Sequence, residues 1–68
     1  MKYAQKIKVV MDYMHKVAIE EKRVWITPTE IGGLFGGHSA IGSPLCKRMV
    51  ESGFLVRNEK GHYKIKEN

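Results

Sequence analysis

A glycine-rich stretch, GGLFGGHS at residues 32–39, interrupts the middle of the chain and limits what the sequence on either side can form. The stretch differs by one residue from the G-x-x-x-x-G-K-[ST] loop that binds nucleotide phosphates. Such a loop follows a strand and places a lysine on the phosphates, whereas here a helix start precedes Gly32 and His38 replaces the lysine. A chain of 68 residues with one long helix has no room for the parallel sheet that supports such loops. The glycines therefore indicate a break between two helices.

Apolar residues at steps of three and four predict a long first helix and a short second helix. The first is expected near residues 2–20, with an apolar stripe made by Tyr3, Ala4, Ile7, Val10, Met11, Met14, Val17 and Ala18. In the TPTE segment, Thr27 and Glu30 form a capping box, and Pro28 occupies the first helical position, where proline is well tolerated. The second helix is expected near residues 28–36, where the glycine pair ends it.

A third apolar stripe follows the glycines and predicts a helix near residues 40–52. Its start has two alternatives. If Ser39 is the N-cap, Pro44 removes the hydrogen bond to the Ala40 carbonyl and bends the first turn. If Ser43 is the N-cap, Pro44 occupies the first helical position and the preceding residues form a separate turn. We favour the second alternative.

Two short β-prone runs, FLVR and HYKI, flank the loop NEKG and predict an antiparallel hairpin near residues 54–57 and 62–66. The VWIT run before the second helix also has high strand propensity. We expect its Trp25-Ile26 pair to join the hairpin as a third strand. The expected fold class is therefore α+β, with residues 1–68 forming a single domain.

Three segments between Trp25 and Ile65, namely TPTEIGGLFG, GHS and LCKRMVESGFLVRNEKGHYKI, resemble the winged helix-turn-helix family of small transcription regulators. The first helix also fits the first helix of that family. The resemblance implies three helices, a hairpin wing and a short third strand, and it implies binding to double-stranded DNA. The helix after the turn would enter the major groove, and the wing would contact the flanking backbone or the minor groove.

The resemblance also implies which residues contact DNA. The candidates on the third helix and its turn are His38, Ser39, Ala40, Ser43 and Lys47. The candidates on the wing are Arg57, Asn58, Lys60, His62 and Lys64. Thr29 and Arg48 are expected to meet phosphates. The third helix offers none of the Arg, Asn or Gln side chains that usually read base edges from its first turns, so we expect phosphate contacts to exceed base contacts.

Twelve Lys and Arg residues against seven Asp and Glu residues give a net charge of +5 and a pI near 9.6. Positive charge on a small domain favours an anionic partner, with nucleic acid first among them. The lone cysteine, Cys46, lies on an apolar stripe, so it predicts a core residue rather than a disulfide or a metal site. The histidines are scattered and no nucleophile lies beside a base. We therefore expect no cofactor, no metal and no enzymatic activity.

The chain is expected to be a complete, soluble, cytoplasmic protein, because it has neither a membrane-length apolar run nor a signal peptide. Two functions remain open on the same scaffold: a DNA-binding module, as a small transcriptional regulator or accessory, and a protein–protein interaction module that does not bind DNA. Val9 and Tyr13 lie four residues apart and roughly opposite the first apolar stripe. They predict a homodimer through the first helix.

Overall fold

The computed structural model describes residues 1–67 and contains three helices followed by a two-stranded antiparallel sheet. Its elements are α1 (Tyr3–Glu20), α2 (Pro28–Gly33), α3 (Ser39–Glu51), β1 (Leu55–Arg57) and β2 (Tyr63–Ile65). In the sheet, Leu55 pairs with Ile65 and Arg57 pairs with Tyr63. The expected α+β class, with three helices and a hairpin, is confirmed.

The core is made of nine buried apolar residues drawn from every helix, both strands and the segment before α2. They are Val10, Met14, Val17, Ile26, Ile31, Cys46, Met49, Leu55 and Tyr63. The apolar stripe of α1 is buried only in part, since Ala4 is exposed and Met11 is half-buried. Burial raises the pKa of the Cys46 thiol to about 11. Cys46 is therefore a neutral core residue, as expected.

The expected third strand is reduced to one residue. Ile26 forms an isolated bridge with Tyr63, in which each N–H donates to the other carbonyl at 2.8 and 2.9 Å. The Trp25 carbonyl instead accepts a hydrogen bond from the Arg23 guanidinium at 3.4 Å. Thr27 is already the N-cap of α2. The predicted pairing with the hairpin is therefore present at Ile26 alone, and a third strand is not formed, because the Trp25 carbonyl and the Thr27 N–H make other hydrogen bonds.

Direct backbone contact joins α2 to α3, and two buried glycines permit it. A β-carbon on Gly32 would overlap the carbonyl oxygen of His38, and one on Gly42 would overlap the carbonyl oxygen of Pro28. The His38 carbonyl also accepts hydrogen bonds from the N–H groups of Ile41, at 2.9 Å, and Gly42, at 3.0 Å. Glycine inside a helix costs up to about 1 kcal/mol relative to alanine. Here that cost is offset by the close approach of the two helices.

The second helix ends at Gly33, earlier than the expected boundary near residue 36. The residues that follow it tighten into a turn, in which Leu34 donates to the Ile31 carbonyl at 3.1 Å and Phe35 donates to the Gly32 carbonyl at 3.0 Å. These bonds span three residues instead of four, as is common where a helix ends.

The third helix begins at Ser39, so the preferred start at Ser43 is wrong. The His38 imidazole Nδ1 accepts a hydrogen bond from the Ala40 N–H at 3.3 Å and caps the helix. The helix then continues through Pro44. Both Ala40 and Pro44 are exposed. The Ala40 carbonyl, which loses its helical donor at Pro44, is thus on a face open to water, and this lowers the cost of the proline.

The Glu30 carboxylate connects α1, the segment after α1 and α2. It accepts hydrogen bonds from the N–H (2.9 Å) and the hydroxyl (3.1 Å) of Thr27, within the predicted capping box. It also forms a two-point ion pair with Arg23, at 2.5 and 2.9 Å, and accepts from the Tyr13 hydroxyl at 3.2 Å. The Arg23 hydrogen bond is the main cause that lowers the pKa of Glu30 to about 2.

Replacing Gly42 by Ala is expected to destabilise the fold strongly, because the added β-carbon has no space between α2 and α3. Overpacking of this kind costs about 1–3 kcal/mol or more, against the roughly 3–5 kcal/mol that a core of this size supplies. Gly33→Ala is the matched control. Nothing lies within 4 Å of its added β-carbon, so it should stabilise the chain by up to about 1 kcal/mol. Urea unfolding gives the free energy of unfolding of both variants. Equal changes in the two variants would contradict the close contact at Gly42.

Replacing Glu30 by Gln is expected to lower the free energy of unfolding at pH 7 by about 1–3 kcal/mol. The folded-state pKa of Glu30 lies below its ordinary value of 4.5. Its stabilisation is therefore fully present above pH 4.5 and is lost as the pH falls towards 2. Urea titrations should show the gap between the two proteins closing over that range. Asp12→Asn, which breaks an exposed ion pair with Lys8, is the control and should change stability little. A difference in unfolding free energy between the wild-type protein and Glu30→Gln that does not vary with pH would contradict the lowered pKa of Glu30.

Candidate nucleic-acid interface

Every ion pair of a lysine or arginine side chain within residues 1–67 lies in the first half of the chain, although three of the six basic residues there, Lys2, Lys6 and Lys22, form none. Lys8, Lys16 and Arg23, all in the first half of the chain, pair with carboxylates. Within residues 1–67, no ion pair engages the six that follow the start of α3, which are Lys47, Arg48, Arg57, Lys60, Lys64 and Lys66. Cations without a carboxylate partner stay available to an external anion. The second half of the chain is thus the candidate surface for nucleic acid.

Lys47 and Arg57 line one surface depression between α3 and the hairpin. This Lys47–Arg57 groove has a volume of about 200 Å³, and Val50, Glu51 and Tyr63 complete its walls. The structure therefore brings together one residue from each expected contact group, the helix and the wing. The Glu51 carboxylate in the same walls reduces the attraction that the two cations exert on a phosphate.

Asn58 holds the hairpin turn together. Its side-chain oxygen accepts hydrogen bonds from the N–H groups of Lys60, at 3.0 Å, and His62, at 2.9 Å. Gly61, with φ at 80°, donates its N–H to the Asn58 carbonyl at 3.0 Å. The turn thus resembles a type I turn closed by a glycine bulge. Lys60 is exposed and His62 is half-buried. The side-chain oxygen of Asn58 is occupied by the fold, whereas Lys60 is accessible to a ligand. The guanidinium of Arg57 lies beside Gly61.

Lys64 lies on the opposite face of β2 from the Lys47–Arg57 groove, because successive strand residues point to opposite faces and Tyr63 lines the groove. The Lys64 Nζ lies 5.1 Å from the centroid of the Trp25 ring. Trp25 thus contacts the hairpin through its ring and the Lys64 side chain. Lys64 also lines a separate depression with Met14 and His15 of α1. Of the five expected wing residues, Arg57 lines the groove, and Lys64, like Asn58, Lys60 and His62, does not.

Arg48 lies on the other flank of α3. Its guanidinium stacks over the Tyr3 ring at 3.7 Å from the centroid, and the Tyr3 hydroxyl shares a hydrogen bond of 3.0 Å with the Ser52 hydroxyl. Neighbouring helix residues point about 100° apart, so Lys47 and Arg48 face different sides of α3. The sequence predicts Tyr3 on the apolar stripe of the first helix and does not predict its contact with Arg48. A contact between residues so distant in the chain leaves no local pattern that could have revealed it.

The outward face of α3 offers few groups for reading bases. Its exposed residues are Ala40, Pro44, Lys47 and Glu51. Ser39 is exposed at the start of the helix, and Ser43 is half-buried. His38 uses its Nδ1 as the helix cap, so its Nε2 alone is free for a ligand. Thr29 is exposed on α2. Lys47 is the one residue of this face whose side chain commonly pairs with guanine.

Tyr13 packs within its own chain, which corrects its expected position on a free face of α1. Its ring is half-buried against the core, and its hydroxyl donates to Glu30. Burial first, and the Glu30 charge second, raise the pKa of Tyr13. Val9 is half-buried. The expected homodimer through α1 stays a prediction, which rests on Val9.

Comparisons with known proteins give no match to a family model, a curated protein or a solved structure. Among the helices of residues 1–67, none combines the length and the apolar character needed to cross a membrane. In the same part of the chain, no three histidine, cysteine or acidic side chains are grouped so that they could hold a metal ion.

The homodimer predicts that the protein sediments as a dimer at high micromolar concentration. Val9→Glu should shift it to monomer, because it places a charge in the expected seam. Ala4→Glu, at an exposed position on a different side of α1, introduces the same charge and should leave the dimer intact. Tyr13→Glu is unsuitable, because it would place a second carboxylate beside Glu30 within the fold. A wild-type monomer at that concentration in analytical ultracentrifugation would end the prediction.

Proposed function

We propose that this chain is a DNA-binding module of the winged-helix type, acting as a small transcriptional regulator or accessory, that holds double-stranded DNA mainly through its phosphates. The observation that carries the proposal is the distribution of cations. The six lysines and arginines on α3, the hairpin and the residue after it all lack an ion pair within residues 1–67, whereas three of the six basic residues before α2 have one. Contacts between such cations and phosphates supply most of the affinity in sequence-independent binding.

The arrangement of the elements supports the same proposal. The helices α2 and α3 are joined by a short turn and packed through Gly32 and Gly42, and a hairpin follows directly. This order is that of a helix-turn-helix with a wing. In such a geometry α3 lies in the major groove, and the Lys47–Arg57 groove lies where the helix and the wing meet the backbone.

Weak sequence preference follows from the composition of α3. Ala40 and Pro44 donate no hydrogen bond from their side chains, and Glu51 accepts rather than donates. Phosphate contacts fix the position of a protein on the duplex, but they carry no information about the base sequence. The protein would therefore bind many sequences with similar affinity.

A protein–protein interaction module is the second candidate, and exposed apolar residues on the far side of the fold favour it. Ile19 is 78% exposed and Val24 is 51% exposed. Val24 lines a mainly apolar depression of about 260 Å³ with Met14 and Ile65. Apolar surface of this kind is common in small domains, so the second candidate has weaker support than the cation distribution gives the first.

The proposal predicts that duplex affinity falls steeply with salt. Each phosphate contact contributes about 0.9 to the slope of log affinity against log salt. The Lys47→Ala, Arg57→Ala double variant should therefore lower that slope by roughly 1–2. Lys8→Ala with Lys16→Ala is the matched control, because it also removes two positive charges, from +5 to +3, but from paired residues on α1. Fluorescence anisotropy with duplexes of two unrelated sequences gives the slopes and the preference.

If both double variants lower the slope of log affinity against log salt by the same amount, then net charge alone determines binding. Absence of duplex binding by the wild-type protein at low salt would reject DNA binding and leave the interaction module as the better candidate.

A further inference from the structure

A second cationic depression lies between α1 and α3, on the flank of α3 away from the hairpin. It has a volume of about 350 Å³, and its lining includes Tyr3 and Lys6 of α1 together with Ile41, Pro44 and Arg48 of α3. At about 100° per residue, Ile41 and Arg48 point to a different side of α3 from Lys47 and Val50, which line the Lys47–Arg57 groove. The two depressions therefore flank the exposed face of α3.

The charge of this second depression is entirely positive. Lys6 and Arg48 both line it, and among the described residues 1–67 no acidic side chain does. By contrast, Glu51 lines the Lys47–Arg57 groove. Opposed charges in one site weaken its field, so the second depression attracts an anion more strongly for the same number of cations. We call it the Lys6–Arg48 cleft.

The Arg48 side chain is held in place before any ligand arrives. Its guanidinium lies 3.7 Å from the centroid of the Tyr3 ring, and the Tyr3 hydroxyl shares a hydrogen bond with Ser52 on the same helix end. A stacked guanidinium keeps its in-plane N–H donors free, and these donors match the geometry of a phosphate. Fixing the side chain in advance also removes part of the entropy cost of binding.

The apolar part of the cleft suits the sugar of a nucleic-acid backbone. Ile41 is 44% exposed and Pro44 is exposed beside it. A free inorganic anion would gain nothing from these two side chains, whereas a deoxyribose attached to a bound phosphate would pack on them. The combination of two cations with a small apolar wall thus fits a sugar–phosphate unit.

We propose that the Lys6–Arg48 cleft binds a backbone phosphate of the DNA strand opposite to the one that the hairpin contacts. This inference rests on the proposed function. A helix in the major groove, which is about 12 Å wide, has a phosphate backbone on each side. The Lys47–Arg57 groove faces one of these backbones, and the Lys6–Arg48 cleft faces the other. The first helix thereby becomes part of the interface, and α3 is held between two phosphate contacts.

The test is a duplex titration over a series of salt concentrations with single variants of the full chain. Lys6→Gln and Arg48→Gln should each lower the slope of log affinity against log salt by about 0.9. Lys16→Gln removes a charge from an exposed, ion-paired position on α1 and is the matched control, with an unchanged slope expected. Arg48→Lys keeps the charge while it loses the planar donors, and it should keep the slope at a reduced affinity.

Urea unfolding of each variant shows whether loss of the stacking on Tyr3 destabilises the fold. Lys6→Gln leaves that stacking intact and therefore tests the cleft independently. If the wild-type protein and the control bind, and Lys6→Gln and Arg48→Gln both match them in slope, the cleft is not a phosphate site, although the proposed function stands. If the wild-type protein does not bind duplex at low salt, both proposals are overturned.

Discussion

The backbone contact between α2 and α3 is the constraint on which the other features depend. Gly32 lies against the His38 carbonyl and Gly42 against the Pro28 carbonyl, with no space for a β-carbon at either position. A helix of six residues such as α2 is not stable alone, so its conformation depends on this contact and on the Glu30 interactions at its start. The contact fixes which side of α3 faces outward. It thereby determines where every candidate phosphate-binding residue of α3 lies.

Within residues 1–67, the ion pairs lie in the first half of the chain, where they engage three of the six basic residues, and the second half contains none. In the first half, carboxylates are used to join elements, most clearly where Glu30 receives donors from Tyr13, Arg23 and Thr27. In the second half, Arg48 and Lys64 lie over aromatic rings, and the other cations of α3 and the hairpin form no ion pair within residues 1–67. An arginine on a ring remains charged and keeps its donors, so this arrangement positions cations without neutralising them. The proposed contacts on both flanks of α3 depend on that difference.

Local signals in the sequence were sufficient wherever the structure is decided locally. The capping box of Thr27 and Glu30, the helix break at the glycines and the hairpin loop were all predicted, because each depends on residues a few positions apart. The start of α3 was not, since it depends on the His38 imidazole as cap and on the exposure of the Ala40 carbonyl that Pro44 leaves unbonded. The position of Tyr13 and the pairing of Tyr3 with Arg48 were missed for a related reason. Both are contacts between helices, and a periodic pattern gives the face of a helix but not what covers it.

Cys46 gives the fold a property that follows from its burial alone. Its thiol is buried in the core, and its pKa is raised to about 11. Alkylating reagents attack an accessible thiolate, so the native chain presents almost none of the reactive species. Labelling must then proceed through molecules in which the packing around α3 has transiently opened. Cys46 is the single cysteine of the chain. The rate at which it is alkylated therefore measures how often the packing around α3 opens, and no cysteine has to be introduced for the measurement.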